Sequence, residues 1–249
     1  MEFDLATLLT PQKTKFTLKR FGHNTDGGYI VPVELCKICN LTTFGVADDI
    51  SFEVDYRKVN PNANITCFDG SIDDIPQEGK DIGINFIKKL VSVEEVDIYV
   101  DINNIYMDNY TIIKMDIEGS EFKCLNSLCD YKFAMIPVLI VEFHISEIAR
   151  DRNINDFILL LNRIEHYMHP IHVHFNNTWG TFMQNGNMFG RSIEVTFLNN
   201  IYKDSKYPIN GLDYPCHPYY NIEYGLNWIE NEENNPEMEQ KNIEVNKRL

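Results

Sequence analysis

The chain has 249 residues, 44% of them hydrophobic, and a formal net charge of -15 at pH 7. That is enough apolar material for one sizeable core and too short a chain to favour two full domains. So acidic a chain is poorly suited to bind nucleic acid through its phosphates or to dock on anionic lipid, since both modes need a basic surface. The partner expected is therefore a neutral or weakly charged small molecule or glycan.

No N-terminal stretch has signal-peptide form and no apolar run approaches the ~20 residues that cross a bilayer, so the sequence suggests a cytoplasmic protein without membrane insertion. Six cysteines scattered from Cys36 to Cys216 do not form a disulfide scaffold. Cys36 and Cys39 make a CxxC without a second metal-spaced pair, and buried structural positions are the simpler reading.

In chain order, residues 1–35 read as an N-terminal extension or lid, with β-prone segments 15–21 and 29–33 around the turn-forming Asn24-Thr25-Asp26-Gly27-Gly28. The main domain is expected over 36–200. It begins as strand 41–46, helix 51–59 and strand 65–68, with further strands at 84–90, 110–115, 138–143, 171–175 and 193–198. Such alternation implies an α/β fold with a mostly parallel, helix-covered sheet. The best later helix is 155–167, where Phe157, Leu160, Leu161 and Ile164 form one apolar face. Beyond Asn199 the pattern degrades, and 201–249 reads as a C-terminal segment ending in an acidic tail too poor in apolar residues to offset ordering entropy.

The most informative stretch is Lys114-Met115-Asp116-Ile117-Glu118-Gly119-Ser120-Glu121. An apolar strand runs into a turn and a helix whose apolar positions are Phe122, Leu125 and Leu128, so Asp116 and Glu118 fall at the carboxyl end of a strand, where open α/β sheets bind ligands. Glu121, in the first helical turn, reads best as a capping carboxylate. The strand ending Val141-Glu142-Phe143-His144 puts Glu142 and His144 on one face by period-two alternation. His144 is the candidate general base, oriented by an adjacent carboxylate.

Gly45 opens the loop after the first core strand, Ser51 reads as the N-cap of the next helix, and Asp69-Gly70 follows the second strand where Rossmann-like folds place a ribose-binding acid. His172 and His174 would share a strand face. With Glu142 or His144 their spacing permits a divalent metal, while lining of an acceptor pocket is the preferred reading. Asn176 and Asn177 suit recognition of sugar hydroxyls, and Trp179 and Phe182 could add a stacking wall.

Three blocks resemble the FkbM-type methyltransferases: Asp26-Gly27-Gly28-Tyr29, the loop Phe44-Gly45-Val46-Ala47-Asp48-Asp49-Ile50-Ser51-Phe52-Glu53, and KMDIEGSEFKCL from Lys114. The resemblance implies a Rossmann-like class I methyltransferase fold, with helices on both faces of a seven-stranded sheet whose last strand is antiparallel. It also implies S-adenosylmethionine as cofactor and O-methylation of a hydroxyl on a sugar or glycan. On that basis Gly45, Asp48, Ser51, Asp69, Gly70 and Asp116 would bind the cofactor, with Asp48 or Asp49 near its amino-acid part. Asp116, Glu118 and His144 would carry the chemistry. The loop departs from the common DxGxxxG pattern by keeping one glycine followed by two acids. Two rivals remain open: a non-catalytic interaction module on the same fold, and a metal-dependent sugar-modifying enzyme using the histidine cluster.

Overall fold

The computed structural model describes residues 4–145 and 154–202. The acidic tail expected from the sequence lies outside the described residues. After helix α1 (Leu5–Leu9), strands β1 (Leu18–Phe21) and β2 (Tyr29–Pro32) pair antiparallel around the glycine-containing turn. The hairpin is built into the core: Phe21, Tyr29, Ile30 and Val31 are buried with Phe52 and Tyr56 of the main domain, and Thr196 Oγ1 donates to the Ile30 carbonyl at 2.7 Å.

Short α2 (Val33–Cys36) leads to β3 (Asn40–Phe44), α3 (Ser51–Val59), β4 (Ile65–Phe68), α4 (Gln77–Asp81) and β5 (Asn85–Ile87). Strands β6 (Leu90–Ser92) and β7 (Tyr99–Asp101) form a separate two-stranded sheet. Then come β8 (Thr111–Met115), α5 (Glu121–Ser127), α6 (Asp130–Met135), β9 (Val138–His144), α7 (Ile154–Glu165), β10 (Met168–Gln184) and β11 (Asn187–Asn199).

The main sheet has seven strands in the order β10-β11-β9-β8-β3-β4-β5. Strands β9, β8, β3, β4 and β5 run parallel, and β11 enters antiparallel between β9 and β10. This is the expected architecture, down to the antiparallel last strand. Every residue of β8 and β9 is buried, as befits central strands covered on both faces. Alternation divides them: Ile113, Leu139 and Val141 pack with Phe122, Phe157 and Leu160 on one face, while Ile112, Val138 and Ile140 pack with Phe52, Tyr56 and the β1–β2 hairpin on the other.

Two expectations about the strands need correction. The strand expected over 84–90 is broken after Ile87, where the Lys89 N–H bonds back to the Ile87 carbonyl at 2.8 Å and Lys88 and Lys89 turn outward to Asp73 and Glu95. The strands expected over 171–175 and 193–198 are the bases of a much longer hairpin. Asn185 and Gly186 make its turn, with φ of 50° and 82°. Asn-Gly is the residue pair that a two-residue hairpin with both φ positive demands, so this signal was present in the sequence.

Cys36 and Cys39 are buried, and burial pushes both thiols up, in keeping with a structural role. Among the described residues no helix is long and apolar enough to cross a membrane.

Phe143 is fully buried against Phe122, Phe157 and Phe197. Truncation there leaves a cavity beneath the carboxyl edge of β9, and Phe143→Ala is expected to destabilise the fold by about 3–5 kcal/mol. Denaturant unfolding measures this, and a loss under about 1 kcal/mol would show that the layer repacks.

Candidate active site

The register of the sheet aligns the site. Phe68, Phe44, Met115 and Val141 stand level across β4, β3, β8 and β9. The next residue of each chain is Asp69, Gly45, Asp116 and Glu142, and Glu142 stands opposite Glu194, which in turn stands opposite His174. A polar row thus crosses the carboxyl edge where β3 and β8 lead in opposite directions along the sheet, the switch point at which such folds bind ligands.

Above it lies a cavity of about 720 Å³. Its wall carries seven carboxylates, Asp26, Asp48, Asp49, Asp69, Asp116, Glu118 and Glu142, together with Lys114, His144 and Asn176.

Gly45 has φ +79°, and a Cβ there would stand 1.7 Å from the Asp116 carbonyl oxygen. The approach of two strands by itself requires glycine here, and Gly45 also lines the cavity. Asp69 secures the loop that follows. Its Oδ2 accepts from the Val46 and Ala47 N–H groups at 2.9 and 2.8 Å, and its Oδ1 accepts from the Ser71 N–H and hydroxyl at 2.7 and 2.6 Å. Burial pushes this carboxyl up, but the four hydrogen bonds outweigh it and hold it below the usual carboxylate range. An acid so occupied is a clamp on the glycine loop, and the ribose role expected for it would require Ser71 or the loop to give way.

Two other expected cofactor contacts do not reach the cavity. Ser51 is the first residue of α3, and its hydroxyl is buried without a hydrogen bond, while Asp49 Oδ1 accepts from the Ser51 N–H at 2.8 Å. Gly70 makes room for Leu90, whose side chain would lie 2.6 Å from a Cβ there, and not for a ligand. Asp48 lines the cavity and is exposed.

Asp116, Glu118 and His144 do come together. The turn after β8 carries Glu118 at φ 53° and Gly119 at φ 104°. Glu121, fully buried, folds its carboxylate back to accept from the Ile117 and Gly119 N–H groups at about 3 Å and to bond His144 Nδ1 at 3.0 Å. The capping role expected for Glu121 is thus joined to a second one, holding the histidine. His144 Nε2 lies 3.3 Å from Glu118 Oε2 and 3.9 Å from both Asp116 Oδ1 and Glu142 Oε1.

Burial pulls the His144 ring down, but the Glu121 hydrogen bond and the charges of Glu121, Glu142 and Asp116 outweigh it and raise the pKa to about 10. So raised, the ring favours the imidazolium at neutral pH, which weighs against the general-base role expected for it. Glu142 is the group poised near neutrality. Burial first, then the charge of Asp116, raise its carboxyl to about 7, against the opposing effects of His144 and the Ser192 hydroxyl.

The sequence reading missed Tyr29 and Asp26 and gave Glu142 too small a part. The Tyr29 hydroxyl lies 2.9 Å from Asp116 Oδ2 and 3.1 Å from Glu142 Oε2, so the two carboxylates share its single proton, while Asn176 and Ser192 donate to Glu142 Oε1. The Asp26-Gly27-Gly28-Tyr29 block therefore works as a turn that sets Asp26 in the cavity wall and Tyr29 on two strand-end carboxylates.

Three donor atoms from Asp116, Glu142 and His144 lie within 4.8 Å of one another, as do three from Asp26, Glu142 and Glu194, so either set could hold a cation. His172 and His174 are buried on β10 and belong to neither set. Asn177 is buried but does not line the cavity, and Phe182 stacks on Phe189 in the hairpin. The side chain of Trp179 lies outside the described residues.

The fold and this strand-edge site define an α/β enzyme-like domain with a ligand cavity at its switch point. Residues 16–168, more than half of the chain, match the methyltransferase FkbM domain, and the chain belongs to that family, as its three sequence blocks implied. No curated protein sequence matches it.

Among solved structures it resembles a fibrillarin pre-rRNA processing protein of Methanococcus jannaschii (8% identity, 66% of this chain and 68% of that one, TM-score 0.39). It also resembles a precorrin-6y C5,15-methyltransferase of Geobacter metallireducens (8% identity, 67% and 84%, TM-score 0.37). A third is the plantazolicin methyltransferase BpumL, solved in complex with a triazolic desmethylPZN analog and SAH (14% identity, 65% and 77%, TM-score 0.33). At TM-scores below 0.5, membership rests on the domain match and not on these neighbours.

The histidine makes stability depend on pH with a definite sign. Its folded pKa of about 10 lies above the ordinary 6.5, so its contribution is complete below about 6.5 and is lost as pH rises toward 10. His144→Gln is expected to flatten the fall in melting temperature across that window. A variant with the wild-type slope would show that the ring is not held protonated.

Proposed function

We propose that the chain is an S-adenosylmethionine-dependent O-methyltransferase acting on a hydroxyl of a sugar or another neutral small molecule. The observation that carries this reading is the convergence of Tyr29, Asp116, Glu142 and His144 on an acidic cavity at the switch point of an FkbM-family domain. When bound, S-adenosylmethionine supplies a methyl group made electrophilic by its sulfonium.

The lining fits that ligand by charge, because a wall dominated by carboxylates favours a molecule of net positive charge. It fits less simply at Asp69, whose four acceptor sites are already used within the protein.

The chain's own groups divide the remaining work. Asp116 and Glu142 present carboxylate oxygens that can orient a hydroxyl, and Tyr29 and His144 keep the two negative charges side by side. Glu142, with its proton affinity near neutrality, is the group suited to take the hydroxyl proton. Asn176, in the cavity wall beside it, is suited to hold a neighbouring hydroxyl. Displacement at a methyl needs alignment above all, which a pocket built on strand ends supplies. A second reading, in which a divalent cation sits on Asp116, Glu142 and His144 and orients the hydroxyl, is favoured by the closeness of those three donors. Metal analysis of the purified protein, with activity before and after chelation, separates the two.

Calorimetry with S-adenosylmethionine and S-adenosylhomocysteine tests the cofactor. Asp69→Asn, which releases the glycine loop, is expected to weaken binding by roughly 1–3 kcal/mol while the protein stays folded. Unchanged affinity would remove the loop from the cofactor site.

The acceptor is sought by radiolabelled methyl transfer to a panel of sugars, glycans and other small hydroxylated molecules. With the acceptor found, Glu142→Gln should lower turnover by about 100-fold to 10,000-fold and abolish the rise in rate around pH 7. Retained turnover with the same pH profile would move the proton to Asp116 or to solvent.

A further inference from the structure

Lys114 has no part in the chemistry described so far, yet it lines the cavity. It stands on β8 two residues before Asp116, on the same face, and is 5% exposed. Its Nζ lies 4.8 Å over the Tyr29 ring and 5.7 Å over that of Phe52, and among the described residues it makes no hydrogen bond and no ion pair. Aromatic faces attract a cation but do not replace the three hydrogen bonds that an ammonium makes in water.

Glu53 senses the charge of Lys114 from nearby. It is fully buried, its Oε1 accepts from Thr43, and its Oε2 has no hydrogen-bond partner. Burial raises the Glu53 carboxyl while the charge of Lys114 lowers it, so Glu53 is an incomplete partner and the ammonium keeps hydrogen-bonding capacity toward the cavity it lines.

Among the residues that line the cavity, Lys114 is the single lysine or arginine against seven carboxylates. That pattern matches the amino-acid end of one particular ligand. The methionine portion of S-adenosylmethionine carries two cations, the sulfonium and the α-ammonium, and one anion, the α-carboxylate.

We infer that Lys114 is the anchor for the α-carboxylate of the methionine portion of S-adenosylmethionine, and that it fixes the orientation of that end of the cofactor within an otherwise acidic cavity. The inference rests on the methyltransferase reading above. Glu53 and the Tyr29 and Phe52 rings hold the ammonium in the wall, and the carboxylate completes its hydrogen bonding. The strand places Lys114 one full side-chain repeat below Asp116, so a ligand anchored at the lysine presents its far parts to the strand-edge acids.

The test compares S-adenosylmethionine with its decarboxylated analogue, which keeps both cations and lacks only the anion, by calorimetry on the full chain. The wild-type protein is expected to bind the parent about 10- to 100-fold more tightly than the analogue, the range for a charged hydrogen-bonded contact. Lys114→Met is expected to bind both with the same, weaker affinity, and Lys114→Arg to keep part of the preference. Because Lys114→Met leaves Glu53 buried without a counter-charge, the double variant with Glu53→Gln keeps the test valid if the single one fails to fold.

A methionine variant that still prefers the parent overturns the assignment. So does one that weakens both ligands equally while keeping their ratio, which would make Lys114 a packing residue, or one that leaves cofactor binding intact and loses only the acceptor. If the wild-type protein binds neither ligand, the cofactor reading falls and the anchor with it, an outcome distinct from failure of Lys114 alone.

Discussion

At Gly45 two strands come so close that the Asp116 carbonyl oxygen stands where a side chain would begin, and the glycine's left-handed turn is the only backbone that fits. On one side of that point the Gly45 N–H bonds the Phe68 carbonyl, and on the other the Asp116 N–H bonds the Phe44 carbonyl. β3 is thereby tied to both neighbours up to its last residue. The cavity opens directly above, and Asp69, Asp116 and Glu142 are brought level because the ladder beneath them admits no slip. A one-residue change of register would turn each acid to the opposite face of the sheet.

The row so created would be unstable as a set of bare charges, since like charges a few ångströms apart in a poorly hydrated place raise one another's proton affinity. The protein handles this group by group. Asp69 spends its charge on loop N–H groups and Ser71. Asp116 and Glu142 share the Tyr29 hydroxyl, and burial together with the Asp116 charge raises the proton affinity of Glu142. The Glu121 hydrogen bond and the surrounding carboxylates favour the protonated form of His144, which can serve as a counter-ion within the acid cluster. A cationic ligand entering the cavity would take over part of that role, which ties the electrostatics of the wall to the class of ligand it suits.

The division of labour between elements follows from stiffness. Strand ends supply Asp116, Glu142 and His144, which are fixed by the sheet. The β1–β2 hairpin, packed against Phe52 and Tyr56, brings Tyr29 and Asp26 to them. Joining the two is a contact between residues 87 and 113 positions apart in the chain.

What the sequence determined by itself is local and periodic. Apolar runs marked the strands, the 3.6-residue repeat marked α5 and α7, the carboxylates after β8 marked the edge, and alternation put Glu142 and His144 on one face. The Asn185-Gly186 turn was legible too, because its φ requirement is a property of two adjacent residues. The tertiary structure alone decided the roles. Whether Asp69 faces a ribose or a loop, whether His144 is a base or an imidazolium, and whether Lys114 points to solvent or into a cavity depend on what stands opposite each group. That is fixed by strand order and burial, and proton affinity follows the charges and the water around a group, which no local pattern of residues records.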